Sequence, residues 1–308
     1  MIVESWPLMQ ERNSISGDYA ANARKIFADL AETPGVSKPD AILTASSVKR
    51  VFGGLTAVDV TSFEVQRHSI TALIGPNGAG KTTFFNLLTG FDSAQEGSWS
   101  LNGVDISKIG AHRVARRGMV RTFQLTKSLY RLSVMDNMKL AATGQRGESI
   151  LQAPLRPIWR SQERALEARA EELLVRFKLI DKKDDFAAAL SGGQRKLLEM
   201  ARALMVQPEI VMLDEPMAGV NPALKQSLLE HIRALRDEGM TVLFIEHDMD
   251  MVRDISDWVV VLAQGQVVAE GRPNSVMRNQ AVIDAYLGAH HDTKLDTKLD
   301  TKLGAEKK

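Results

Sequence analysis

Short, wholly apolar runs alternate with amphipathic stretches through the middle of the chain. The runs ITALI (Ile70 to Ile74), IVML (Ile210 to Leu213), TVLFI (Thr241 to Ile245) and WVVVL (Trp258 to Leu262) carry no polar alternation beyond a threonine. That is the pattern of strands covered on both faces, as in a parallel sheet flanked by helices. Between them the apolar positions return at helical spacing. One helix is marked at both ends: Asn221 and Pro222 open it, Leu224, Leu228, Leu229, Ile232 and Leu235 share a face, and Gly239 follows. The fold class this predicts is α/β with a largely parallel core sheet. The stretch from about 122 to 190 has few strand signals and a charged helix within SQERALEARAEELLVRFKLI (Ser161 to Ile180), which predicts a helical subdomain inserted in the α/β domain.

The two ends read differently. Residues 1–40 are mostly polar, with one amphipathic helix predicted where Ala23, Ile26, Phe27 and Leu30 share a face before Thr33, Pro34 and Gly35 stop it. A loosely packed surface appendage is the expectation, with docking on a partner as the alternative. At the other end, within residues 290–308, DTKLDTKLDTKL (Asp292 to Leu303) repeats a charged tetrad with one leucine per unit. So few apolar groups cannot offset the entropy of ordering, and disorder is expected. Residues 41–289 are left as one domain.

Glycine-rich turns carry the candidate chemistry. GPNGAGKTT (Gly75 to Thr83) follows ITALI and opens the apolar helix TFFNLL, the strand–loop–helix context that a phosphate loop requires. Gly75, Gly78 and Gly80 let backbone N–H groups wrap a β-phosphate, with Asn77, Ala79 and Thr83 completing the loop, and the helix dipole favours the anion. Lys81 supplies charge to the β- and γ-phosphates, and the Thr82 hydroxyl is a Mg2+ ligand. Asp214 and Glu215 end the run IVMLDE. Two acids at a strand end are common in solvated loops, but behind a phosphate loop they read as a Mg2+ carboxylate and a general base for the attacking water. A second turn, LSGGQRKLLEM (Leu190 to Met200), again starts a helix with serine and glycines, so one chain holds two anion-binding shapes.

Composition narrows the class without choosing a partner. Thirty-nine basic against 38 acidic residues give a net charge of +1, which is no footprint for nucleic acid or an anionic membrane. Cysteine is absent, which excludes disulfides and thiolate chemistry, and the six histidines show no metal-ligand spacing. No apolar run reaches the roughly 20 residues that cross a bilayer. The amino terminus lacks the pattern of a secretion signal, and a cytoplasmic protein is expected.

In their order these motifs resemble the ATP-binding subunits of ABC transporters, from about Ile42 to Gly288. LSGGQ is similar to the family's signature, GPNGAGKTT to its Walker A loop and IVMLDE to its Walker B strand. Gln124 in RTFQ resembles the Q-loop glutamine, His247 in IEHD the switch histidine, and Phe52 in VKRVFGG the aromatic that stacks on adenine. The resemblance implies a P-loop NTPase of ABC type, with an N-terminal antiparallel β part beside the core sheet. It also implies ATP and Mg2+ as cofactors, Glu215, His247 and Gln124 as catalytic residues, and Thr82, Gln124 and Asp214 around the metal. In that family two ATPases pack head to tail, so Ser191, Gly192, Gly193 and Gln194 would cover the γ-phosphate held by a partner's Walker A loop. Asn221 departs from the aspartate that often ends the family's D-loop and is expected to cap the helix at Pro222.

RRGMVRTFQLTKSLYRLSVMDNM (Arg116 to Met138), EPMAGVNP (Glu215 to Pro222) and AVIDAYLG (Ala281 to Gly288) are similar to the subunits that drive high-affinity uptake of branched-chain amino acids. The implied partners are a second, different ATPase subunit, two transmembrane permeases and, indirectly, a periplasmic or extracellular substrate-binding protein, with no nucleic acid. The implied location is the cytoplasmic face of the cell membrane. The alternatives are importers of urea, amides or other hydrophobic amino acids, lipopolysaccharide export, and a non-transport ABC ATPase. The last would usually carry a long coiled coil between the phosphate loop and the signature, and no sustained heptads occur there.

Overall fold

The computed structural model describes residues 18–122, 129–142 and 156–286. Gln124, the DTKL repeats and the first part of the N-terminal extension therefore lie outside the described residues. Two sheets organise the rest. Strands β1 (Ala41–Phe52), β2 (Leu55–Gln66), β4 (Glu96–Leu101) and β5 (Val104–Asp105) form an antiparallel sheet in the order β2-β1-β4-β5. Strands β3 (Ile70–Ile74), β6 (Met119–Arg121), β7 (Ile210–Asp214), β8 (Thr241–Ile245), β9 (Trp258–Ala263) and β10 (Gln266–Gly271) form the second sheet, in the order β10-β9-β3-β8-β7-β6. It is parallel except for the β9–β10 hairpin.

Burial on both faces of this sheet explains its sequence. Along β3, Ile70, Ala72 and Ile74 enter one core and Leu73 the other; along β7, Val211 and Leu213 oppose Ile210 and Met212. Side chains alternate across a strand, so a strand covered on both sides is apolar at nearly every position, with Thr71 and Thr241 the buried polar residues in β3 and β8. One core packs against α4 (Val134–Ala141), α5 (Arg156–Arg176), α6 (Gly192–Leu204), α7 (Pro222–Asp237) and α8 (Met249–Ile255). The other packs against the antiparallel sheet, α2 (Lys81–Leu88) and α3 (Ala111–Arg116). After β10 come the short α9 (Pro273–Val276) and a helical stretch over 280–286.

The expectation of a loose N-terminal appendage fails for the described part of the extension. Helix α1 (Tyr19–Ala28), capped by Asp18, sends Ala23 and Phe27 into the second core at 2% and 1% exposure. The Phe27 ring stacks on Trp258 with centroids 4.8 Å apart. Behind it Lys38 Nζ donates to Glu270 Oε2 at 2.7 Å, and Trp258 Nε1 donates to the same oxygen at 2.8 Å. Composition misled here because a few apolar groups, Ala23 and Phe27 buried and Ile26, Leu30 and Val36 packed beside them, suffice with one buried ion pair to anchor a short, mostly polar segment. Among the described residues no helix is long and apolar enough to cross a membrane.

Candidate functional site

Parallel register gathers the candidate residues at one edge of the core sheet. β3 ends at Ile74 and runs straight into the Gly75–Thr83 loop, while Asp214 of β7 pairs with Ile245 of β8. Glu215 follows the end of β7 directly, and His247 follows the end of β8 after Glu246. In open α/β sheets ligands bind at the carboxyl ends of the strands, where successive connections diverge and leave a crevice. Motifs far apart in sequence are thus brought together because β3, β7 and β8 point the same way.

The phosphate loop is held by the main chain around it. Gly265 N–H, in the β9–β10 turn, donates to Ala79 O at 3.0 Å, and Asp59 N–H on β2 donates to Gly265 O at 2.8 Å. Gly80 has φ 95°, and a Cβ there would stand 2.1 Å from Ala57 O, so the close approach of β2 admits only glycine. Lys81 opens α2 and turns its Nζ back onto Gly75 O at 2.8 Å and Pro76 O at 2.9 Å. Burial pushes its ammonium down from the ordinary lysine range, against the pull of Glu215 and Asp214. Asn77, Gly78 and Thr82 are exposed at the loop's outer face.

Across from the loop, Asp214 is paired with the buried guanidinium of Arg121, which also donates to Asn86 on α2. Arg121 was passed over in the sequence, although it stands in the RTFQ stretch; nothing in its neighbours signals that it is buried. His247 Nδ1 lies 4.0 Å from Glu215 Oε1 and 3.8 Å from Glu246 Oε2. The imidazole and Glu215 are both exposed, so both can reach a bound molecule. Among the described residues no three acidic or imidazole groups converge as a metal cage. A threonine hydroxyl and one carboxylate nevertheless fit Mg2+, which takes most of its ligands from phosphate and water.

Phe52 ends β1 beside the Gly53–Gly54 turn and is 46% exposed, so it is not a core side chain. One face of its ring is covered by Arg50, whose guanidinium carbon is 4.3 Å from the centroid. Ser191 caps α6 in a reciprocal capping box: its Oγ accepts from Gln194 N–H at 3.3 Å, and Gln194 Oε1 accepts from Ser191 N–H at 2.9 Å. Asn221 caps α7 by accepting from Leu224 N–H at 2.9 Å. The two helix starts touch, because a Cβ on Gly193 would stand 1.7 Å from Leu224 Cδ2. A further residue missed in the sequence is Tyr286, whose phenol is pushed up to about 12 by burial, with the Gly75 backbone pulling the other way.

Comparison with known proteins agrees with this geometry. The family model described as ABC transporter matches residues 58–218, and a model described as branched-chain amino acid ATP-binding cassette transporter matches 266–292. The chain is 40% identical over 255 residues to the high-affinity branched-chain amino acid transport ATP-binding protein BraF of Pseudomonas aeruginosa, covering 82% of this chain and 99% of that one. It is 40% identical over 250 residues to LivG of Escherichia coli, a high-affinity branched-chain amino acid transport ATP-binding protein, covering 80% and 98%. A crystal structure of the ADP conformation of an ABC transporter's ATP-binding cassette superposes with a TM-score of 0.71 at 36% identity, covering 80% and 99%. A nucleotide-free cassette gives 0.70 at 35%, covering 80% and 98%. With its sheet order, its phosphate loop and these likenesses, the chain belongs to the ATP-binding subunits of ABC transporters, in the branched-chain amino acid transport family.

Proposed function

We propose that this ATPase subunit hydrolyses ATP with Mg2+ in a head-to-tail dimer, and that the cycle drives import of branched-chain amino acids through partner permeases. The observation that supports the transported class is the match of residues 266–292 to a branched-chain model, beside about 40% identity to relatives matched almost end to end. The position of His247 beside Glu215, at the edge where Lys81 and Asp214 also lie, supports the chemistry. In this reading Lys81 leaves its own loop carbonyls for the β- and γ-phosphates. Thr82 and Asp214 hold Mg2+, with Gln124 as a further ligand; when bound, the metal neutralises charge between the phosphates. Glu215 accepts the proton of the attacking water, and His247 donates toward the γ-phosphate. Phe52 takes adenine on the ring face away from Arg50.

Ser191, Gly192 and Gly193 offer a hydroxyl and N–H groups at a helix start to a partner's γ-phosphate, so each chain completes the other's site. ATPases of this family dimerise and work with permeases. The partners read for this chain are a second, different ATPase, two permeases and a substrate-binding protein on the far side, with the chain peripheral on the inner membrane face.

The test is a pull-down from gently solubilised membranes, with Glu215→Gln and Mg-ATP holding the dimer closed. Two multi-span permeases and a second ATPase should co-purify, and ATP turnover should fall by about 100-fold or more, as when one strong transition-state contact is lost. Recovery of soluble factors or nucleic acid alone would overturn the transport reading. Wild-type turnover by Glu215→Gln would overturn the base assignment.

A further inference from the structure

Within one chain, the helix that begins at the signature turn grips the loop that carries the candidate base. Lys196 lies on α6 just over a turn beyond Ser191, and its Nζ donates to the main-chain oxygens of Glu215 at 3.2 Å and Pro216 at 3.1 Å. Glu215 needs such support, because its φ of 47° is left-handed, a conformation that non-glycine residues keep only where their surroundings hold it. Its N–H donates to Ile245 O at 3.1 Å, and its carbonyl also accepts from Ala218 N–H at 3.1 Å.

The next residues are held by a second side chain. Glu246, its side chain 1% exposed, accepts from Met217 N–H at 2.9 Å and from His247 N–H at 3.2 Å. Both bonds satisfy acceptors that burial takes away from water. Lys196 shares this neighbourhood: burial lowers its basicity, and the charges of Glu199, Glu246 and Glu215 oppose that lowering.

We propose that Lys196 and Glu246 are positioning residues that together brace the 215–217 loop and the switch loop, fixing Glu215 and His247. This rests on the reading of Glu215 as the base and of the signature turn as facing a partner's nucleotide. It adds a route between the two sites of a dimer. A γ-phosphate seated on the start of α6 shifts that helix, and Lys196 carries the shift to this chain's own base.

Lys196→Met in the full-length chain keeps the apolar stem and removes the donor. The kcat for ATP should fall about tenfold at unchanged KM, and Lys196→Arg should recover most of it. Lys196→Gln, too short to reach both carbonyls, is the second variant and should show the same deficit with an intact melting transition. A kcat within about twofold of wild type overturns the brace, as does a KM rise with kcat unchanged, which would place Lys196 in nucleotide binding. An equal loss in Lys196→Arg overturns it too. Glu215→Gln run in parallel separates the failures: if it is inactive while Lys196→Met is normal, only the brace fails; if it turns over normally, the base assignment fails first.

Discussion

Phe52, the proposed adenine contact, shows how a side chain can be prepared by its neighbours. Arg50 covers one face of the ring and is itself held by both oxygens of Asp92, at 3.1 and 2.9 Å, so the ring's other face stays open in a fixed direction. A base–aromatic stack is worth about 1–3 kcal/mol, so Phe52→Ala should raise the KM for ATP about tenfold with kcat little changed. Phe52→Tyr should keep the wild-type KM, and steady-state kinetics of the three proteins checks both. At this scale the sequence showed the glycine-rich loop and the two acids at the end of β7 plainly, because backbone curvature and phosphate chemistry tolerate few residue types there. Arg121, Lys196 and Glu246 were illegible for the opposite reason. Their significance lies in which main-chain oxygens and carboxylates the fold sets beside them, and one sequence carries no mark of that.

Helix α7 binds the helical part to the core, and a histidine sits at the joint. The His231 ring lies 4.5 Å from the Phe177 ring, beside the Arg176–Glu238 pair. Burial, and then Arg176 and Lys178, hold the imidazole below the free value of 6.5, with Glu230 opposing. The folded protein therefore binds this proton less readily than the unfolded chain. The stability it confers is present above 6.5 and is lost as pH falls through the folded pKa. The thermal midpoint should drop on acidification from neutral pH toward about pH 5, and His231→Gln should flatten that slope. α7 was legible at both ends, through Asn221, Pro222 and Gly239, because capping chemistry is local. The strands of the antiparallel sheet and the edge strand β10 of the core sheet were less so: β1, β2, β4 and β10 mix exposed and buried positions irregularly, and bulges such as that between Arg50 and Val51 break the alternation.

Across the whole molecule, the N-terminal extension is fastened by a buried pair at the edge of the core sheet. Both side chains are nearly inaccessible, at 1% for Lys38 and 3% for Glu270. Removing one partner of a buried pair leaves an uncompensated charge, so Lys38→Met should cost about 3 kcal/mol or more in chemical denaturation. Adding Glu270→Gln should restore part of it, since the unpaired charge is gone, although one amide oxygen cannot accept from both Trp258 Nε1 and Val36 N–H as the two carboxylate oxygens do. The relatives are matched almost end to end, while about a fifth of this chain has no counterpart in them, 80% of it being covered. By itself the sequence determined the strand–loop–helix of the phosphate site, the α/β alternation, the cap of α7 and the signature turn, because each is written in neighbouring residues. The tertiary structure decided which strand ends share an edge, that Asp214 is clamped by Arg121, that α1 belongs to the core, and that Lys196 holds the loop of Glu215. Those are contacts between segments distant along the chain, and they exist only once parallel pairing and burial on both sheet faces bring the segments together.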